Sequence, residues 1–221
     1  MLVVNLNYRN ILFDLDGTLT DPKEGITNSV AHALKHFGIE TADHDALCAF
    51  IGPPLIYSFN KYYGFDQEQC LEAVEVYREY FSVHGKFENS VYDGIIPMLN
   101  ILAERGYRLF IATSKPQKFA LEIAEHFGFE KYFEAIRGIP MNGENMTKGQ
   151  VIGAVLREFS LEAKNTLMVG DRSYDVCGAK ENGLDCAGVL YGYGSEAELK
   201  DAGADYIIKD IHGLTNFFED R

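Results

Sequence analysis

The chain has no tryptophan and only four cysteines, Cys48, Cys70, Cys177 and Cys186. No two of them form a CxxC pair, and no histidines stand where they would complete a zinc site. A disulfide scaffold and a structural zinc fold are therefore both excluded. Positive charge is scarce: 20 lysines and arginines face 33 acids, for a formal net charge of −13. A nucleic-acid backbone needs a basic patch, so this balance argues against a nucleic-acid polymer as partner. No apolar run reaches the length of a membrane span. The short apolar start, Met1–Leu6, has neither a basic flank nor a cleavage pattern. A cytoplasmic protein with free thiols and no membrane partner is expected.

What is present begins with Ile11-Leu12-Phe13-Asp14-Leu15-Asp16-Gly17-Thr18. An apolar, β-branched stretch from Val3 to Phe13 reads as a buried strand or two, and it ends in two carboxylates one residue apart. A buried strand has no structural use for acids at its carboxyl end, and placing two charges there is unfavourable unless a cation or substrate offsets them. In open α/β sheets that end is where ligands bind.

With 221 residues and 47% hydrophobic content, the chain suits one α/β domain with a modest insert. After Thr20 the periodicity turns helical. Helices are expected over 26–37, 43–50, 55–63 and 67–83, with no strand between Asp21 and Phe87. From Asp93 helix and strand alternate. Strands are predicted at 107–112, 133–136, 166–169, 186–190 and 206–208. Helices are predicted at 95–105, 117–127, 148–159 and 173–181, with a short closing helix at 214–218. That rhythm implies a Rossmann-like parallel sheet covered by helices on both faces, with an inserted all-helical domain. The expected boundaries are 1–20 and 88–221 for the α/β core and 21–87 for the helical insert.

Three predicted strands end in polar groups: Asp14, then Thr113-Ser114-Lys115, then Gly170-Asp171 with Asp175 one helical turn on. In a parallel sheet these ends share one edge. Lys148, opening a helix after the turn-prone Asn142–Asn145, can reach the same edge. All-oxygen acidic ligands suit a hard divalent ion, Mg²⁺ above all. A lysine, a hydroxyl and that ion together suit a phosphoryl group. His32 and His36 stand four apart but lack a third ligand, so they read as a helix surface. Gly192-Tyr193-Gly194-Ser195 is glycine-rich but fits no nucleotide-binding loop. The cluster of rings at Phe59, Tyr62, Tyr63, Phe65, Tyr77, Tyr80 and Phe81 reads mainly as the insert's own core.

Asp14-Leu15-Asp16-Gly17-Thr18, Thr113, Lys148 and Gly170-Asp171-Arg172-Ser173-Tyr174-Asp175 occur in the order of the four motifs of the haloacid-dehalogenase-like hydrolases. The chain resembles that superfamily over nearly its whole length, and its insert resembles the C1 cap. The resemblance implies a phosphatase in which Asp14 is the nucleophile and forms an aspartyl-phosphate. Asp16 would be the general acid and then the base, and Thr113 and Lys148 would stabilise the phosphoryl oxygens. It further implies Mg²⁺ held by Asp14, the backbone carbonyl of Asp16, and Asp171, with Asp175 beside them. Gly17 and Thr18 would border the phosphate. Dehalogenases of the superfamily lack the second aspartate of the first motif; Asp16 is present here, which favours phosphate chemistry.

Phe50-Ile51-Gly52-Pro53-Pro54-Leu55 resembles the cap's specificity loop, which makes Gly52 a candidate substrate contact. Ser114, Lys115, Lys23 and Arg172 are further candidates, the three basic ones equally readable as solvated charges. Several segments are similar to a bacterial 5′-nucleotidase-like subgroup and to phosphoglycolate phosphatases. A small phosphorylated metabolite, with a nucleoside 5′-monophosphate ahead of phosphoglycolate, is the expected substrate. A sugar-phosphate mutase and a catalytically idle binding protein are the alternatives.

Overall fold

The computed structural model describes residues 8–141 and 146–219. The strand expected from Val3 and the turn expected at Asn142–Asn145 lie, at residues 3–7 and 142–145, outside the described residues. The chain divides into two compact units, Met1–Leu19 with Val91–Arg221, and Thr20–Ser90.

Along the chain, β1 (Asn10–Phe13) is followed by β2 (Thr20–Asp21), α1 (Lys23–His36), α2 (Leu55–Tyr63), α3 (Gln67–Tyr80) and β3 (Ser90–Val91). Then come α4 (Ile95–Glu104), β4 (Arg108–Pro116), α5 (Gln117–Phe127), β5 (Ala135–Ile139), α6 (Lys148–Glu158), β6 (Thr166–Gly170), α7 (Ser173–Glu181), β7 (Asp185–Val189), α8 (Glu196–Asp201), β8 (Tyr206–Ile208) and α9 (Ile211–Glu219). Six strands form a sheet in the order β5-β4-β1-β6-β7-β8, and every pairing in it is parallel. The two-residue strands β2 and β3 pair with each other.

The continuous apolar runs of β1, β4 and β6 follow from burial on both faces of this sheet. On one face Ile11, Phe13, Leu109, Ile111, Leu167 and Val169 pack with residues of α4, α5 and α9. On the other, Leu12, Phe110, Ala112 and Met168 pack with Val151, Ile152 and Val155 of α6, Val176 and Ala179 of α7, and Leu199 of α8. Alternate residues of β1 thus serve opposite layers, as the two-residue strand period requires.

The Thr20–Ser90 unit is helical. Helix α3 starts at a capping box, in which Asp66 Oδ1 accepts from the Gln69 amide and Gln69 Oε1 accepts from the Asp66 amide. Phe59, Phe65, Tyr77 and Phe81 are buried as expected, whereas Tyr62 is exposed.

Several boundaries differ from the sequence reading. The turn at Ala46–Phe50 is a 3₁₀ helix, and α3 runs into a π-helical turn, Phe81–Gly85. Strand β4 extends through Thr113, Ser114 and Lys115 to Pro116. Helix α8 is only six residues long, too short to show a helical period. Among the described residues no helix is long and apolar enough to cross a membrane.

Candidate active site

The register brings the strand ends to one edge. Phe13 pairs with Ile111 of β4 and with Val169 of β6, and the Asp14 amide still donates to the Val169 carbonyl at 2.9 Å. Asp14 directly follows β1 and Asp171 directly follows β6, while Thr113 lies within β4 two residues beyond Ile111, so all three stand at the same edge. All three are buried.

Gly17, just past the acid pair, has φ +83°. A Cβ there would run into the Asp171 carboxylate, so only glycine lets the first loop close on β6. Thr18 Oγ1 donates to Asp171 Oδ1 at 3.3 Å.

Oxygens of Asp14, Asp171 and Asp175 lie within 4.8 Å of one another. Asp175 is placed by the first turn of α7, where its Oδ2 accepts from the Arg172 amide at 3.0 Å. Lys148, the first residue of α6, is aimed by a capping box between Thr147 and Gln150. Its Nζ lies 2.7 Å from Asp14 Oδ1 and 2.8 Å from Asp175 Oδ1, and it donates to the Ala112 carbonyl at 3.1 Å. The Asp175 contact is an ion pair by distance, but Oδ1 accepts no well-directed hydrogen bond.

Burial, the neighbouring Asp175 and then Asp14 hold the Asp171 carboxyl well above the usual range. Burial, partly offset by Lys148 and reinforced by Asp14, pushes Asp175 up to about 6. Burial alone would lower the Lys148 ammonium, but Asp14 and Asp175 outweigh it and raise it above its ordinary value. When all three carboxyls are ionised, they outnumber the Lys148 ammonium by two negative charges. A hard divalent cation matches both that charge and the all-oxygen donor set. Among the described residues, the side chains of Asp14, Asp171 and Asp175 could hold it.

Asp16 stands beside this cluster. Its Oδ2 is 2.6 Å from Lys115 Nζ, and its Oδ1 is buried without a hydrogen-bond partner. Burial raises its carboxyl, against the opposing charge and hydrogen bond of Lys115.

Thr113 Oγ1 accepts from the Lys115 amide at 3.2 Å, and Ser114 is half-buried next to it. Arg172 Nε donates to Glu198 of α8 at 3.1 Å, and its charge also acts on Asp171. Lys23 and Gly52 belong to the Thr20–Ser90 unit, where the Lys23 ammonium lies 2.5 Å from Asp45.

Sequence reasoning missed the loop after β7. Gly170 of β6 pairs with Gly188 of β7, so Tyr191–Gly194 emerges next to the loop carrying Asp171. The Tyr193 amide donates to Asp171 Oδ2 at 2.8 Å, and the Tyr191 hydroxyl donates to the Thr18 carbonyl at 3.0 Å. A Cβ on Gly192 would meet Gly17 O and the Asp171 side chain. The signal was the glycine pair flanking Tyr193 at a strand's carboxyl end. It builds a backbone support for an acid instead of a nucleotide cradle.

The model for the haloacid dehalogenase-like hydrolases matches residues 11–189. The chain is 49% identical to a 5′-nucleotidase of Pseudomonas aeruginosa over 214 residues, 97% of each chain. It is 40% identical over 184 residues to the tyrosine-protein kinase PtkA of Mycobacterium tuberculosis, covering 83% of this chain and 62% of that protein. A crystal structure of a predicted phosphatase from Clostridium acetobutylicum superposes with a TM-score of 0.93 at 46% identity, covering 97% of this chain and 99% of the other. A family match that spans both edges of the acid cluster, and full-length likeness to these proteins, lead to one assignment: the chain belongs to the haloacid dehalogenase-like hydrolases.

Proposed function

We propose that the chain is a Mg²⁺-dependent phosphomonoesterase that works through an aspartyl-phosphate at Asp14, on small phosphorylated metabolites and foremost nucleoside 5′-monophosphates. One observation carries this reading. Asp14, Asp171 and Asp175 converge within 4.8 Å with Lys148 paired to two of them, while the second acid of the first motif, Asp16, is paired to Lys115.

The reaction needs both features. A carboxylate approaching a phosphate dianion is repelled by about 4 kcal/mol per unit-charge pair at 4 Å and an effective dielectric near 20. Bound Mg²⁺ would supply the countercharge and orient nucleophile and phosphate together. Lys148, fixed against Asp14, would neutralise phosphoryl oxygen as charge builds there, with the Thr113 hydroxyl as a further donor. Asp14 attacks phosphorus, and Asp16 gives its proton to the departing ester oxygen. Asp16 then takes a proton from the water that hydrolyses the aspartyl-phosphate. Burial of Asp16 favours the protonated start that this sequence requires.

The Thr20–Ser90 unit resembles the C1 cap and would select the ester, with Lys23 and Gly52 as its candidate contacts. The likeness to a 5′-nucleotidase at 49% identity supports nucleoside monophosphates as the first class to try.

The test is phosphate release from 5′-nucleotides, phosphoglycolate, sugar phosphates, phosphotyrosine and an aryl phosphate, with Mg²⁺ or with chelator. Mg²⁺-dependent release that Asp14→Asn abolishes is the expected result. Release unaffected by chelator, or unchanged turnover in Asp14→Asn, would refute the reading.

A further inference from the structure

Two lysines reach this sheet edge, and they do different things. Lys148 faces Asp14 and Asp175. Lys115 faces Asp16, its ammonium 2.6 Å from Oδ2, with side chains only 5% and 14% exposed. A lysine so buried is not a solvated surface charge.

The backbone is bent to bring it there. Strand β4 pairs in regular register with β5 from Phe110↔Ala135 to Ala112↔Arg137, and resumes at Pro116↔Ile139. Four steps on β4 thus oppose two on β5, a bulge of the kind that re-aims side chains beside active sites. The side chain of Gln117 ties the bulge: its Nε2 donates to the Ile136 carbonyl at 2.8 Å, and its Oε1 accepts from the Gly138 amide at 2.7 Å. The Lys115 amide is itself held by Thr113 Oγ1 at 3.2 Å.

At the far side of the pair, Asp16 Oδ1 is buried and accepts nothing. Leaving a buried oxygen unsatisfied is unfavourable, and such groups call for an explanation, a catalytic role among them.

We propose that Lys115 is a positioning residue for Asp16. It grips Oδ2 and so makes Oδ1 the oxygen that exchanges a proton with the ester oxygen and then with water. The proposal rests on the phosphatase reading above. In the first half-reaction the bond from Asp14 to phosphorus forms as the ester P–O bond breaks. The proton on Asp16 Oδ1 passes to the departing oxygen. Asp16 is left a carboxylate beside the Lys115 ammonium, which stabilises the charge that proton donation creates. In the second half-reaction a water oxygen displaces Asp14 from phosphorus, and the water's proton returns to Oδ1.

The test exploits leaving-group chemistry. An alkoxide leaves poorly without a proton, whereas p-nitrophenolate leaves readily without one. In Lys115→Met the ratio of kcat for an alkyl ester (a 5′-nucleotide or glycerol phosphate) to kcat for p-nitrophenyl phosphate should fall about tenfold or more, a part of the typical general-acid contribution. KM for either ester should stay within about threefold, since the lost group acts in the transition state rather than in binding. In an Asp16→Asn background the same substitution should lower alkyl-ester turnover no further, because Lys115 acts through Asp16.

A parallel loss on both esters with raised KM, persisting in Asp16→Asn, would overturn the proposal and make Lys115 a phosphate ligand. Should Lys115→Met fail to accumulate as folded protein, Gln117→Ala, which loosens the bulge, carries the same ratio test: an unchanged ratio refutes, a lowered one supports. Wild-type protein that releases phosphate from neither ester would overturn the phosphatase reading itself, and with it this one.

Discussion

The charge imbalance at the acid cluster makes metal-free stability depend on pH in an unusual direction. Asp175 has an ordinary carboxyl value of 3.8, and the fold raises it to about 6. The folded chain therefore holds this proton more tightly than the unfolded chain does. Its stabilising contribution is complete below the unfolded value and is lost as pH rises through about 6. A shift from 3.8 to about 6 corresponds to about 3 kcal/mol. About half of that is already lost at pH 5, which leaves about 1–2 kcal/mol between pH 5 and pH 8. For a chain of this size that is about 3–6 °C in melting temperature. Asp171, raised by burial and by the same neighbours, acts in the same direction.

A divalent cation supplies the missing positive charge, so Mg²⁺ should stabilise more at pH 8 than at pH 5, by at least this margin. Thermal melts at the two pH values, with chelator and with Mg²⁺, measure the difference. The 33 acids of the chain also titrate, so Asp175→Asn provides the reference. Metal-free wild type should lose stability relative to that variant as pH rises from 5 to 8. Parallel profiles for the two proteins, or an equal Mg²⁺ shift at both pH values, would refute the reasoning.

Lys148→Met removes a donor aimed at Asp14 and Asp175 and should lower kcat about 10²- to 10³-fold; steady-state kinetics near wild type would remove Lys148 from the phosphate site. The same variant leaves the acid cluster with no ammonium, so its melting temperature should rise more on adding Mg²⁺ than that of wild type. Gly192→Ala puts a methyl group against Asp171 and the Gly17 carbonyl. It should raise the Mg²⁺ concentration for half-maximal activity and shrink the Mg²⁺-induced melting shift, with about 1–3 kcal/mol of overpacking; unchanged metal dependence in titrations of both kinds would count against a supporting role for that loop.

What could be read from the sequence was set by covalent order and burial. Asp14 and Asp16 stand out because charge ends an apolar run, and Asp171 because glycine and acid close another. The parallel sheet follows from runs apolar at every position, since only strands covered on both faces need them. The convergence of Asp14, Thr113 and Asp171 then follows from the sheet alone, without knowledge of any side-chain contact. Other features depend on geometry that residue identity does not carry. The Tyr193 amide supports Asp171, but every residue except proline has such a donor, so no side chain announces it. Arg172 and Lys115 looked alike as candidate substrate contacts. The fold separates them, one turned to Glu198 on α8 and the other carried by a bulge onto Asp16. Lys115 and Lys148 likewise offer the same ammonium, yet they divide the first motif between them, one on each aspartate. That division suits the proposed reaction, in which Asp14 would attack as a carboxylate beside a countercharge while Asp16 would give up a proton and take one back. Two lysines on separate elements, β4 and α6, thus each form an ion pair with a different acid of the first motif.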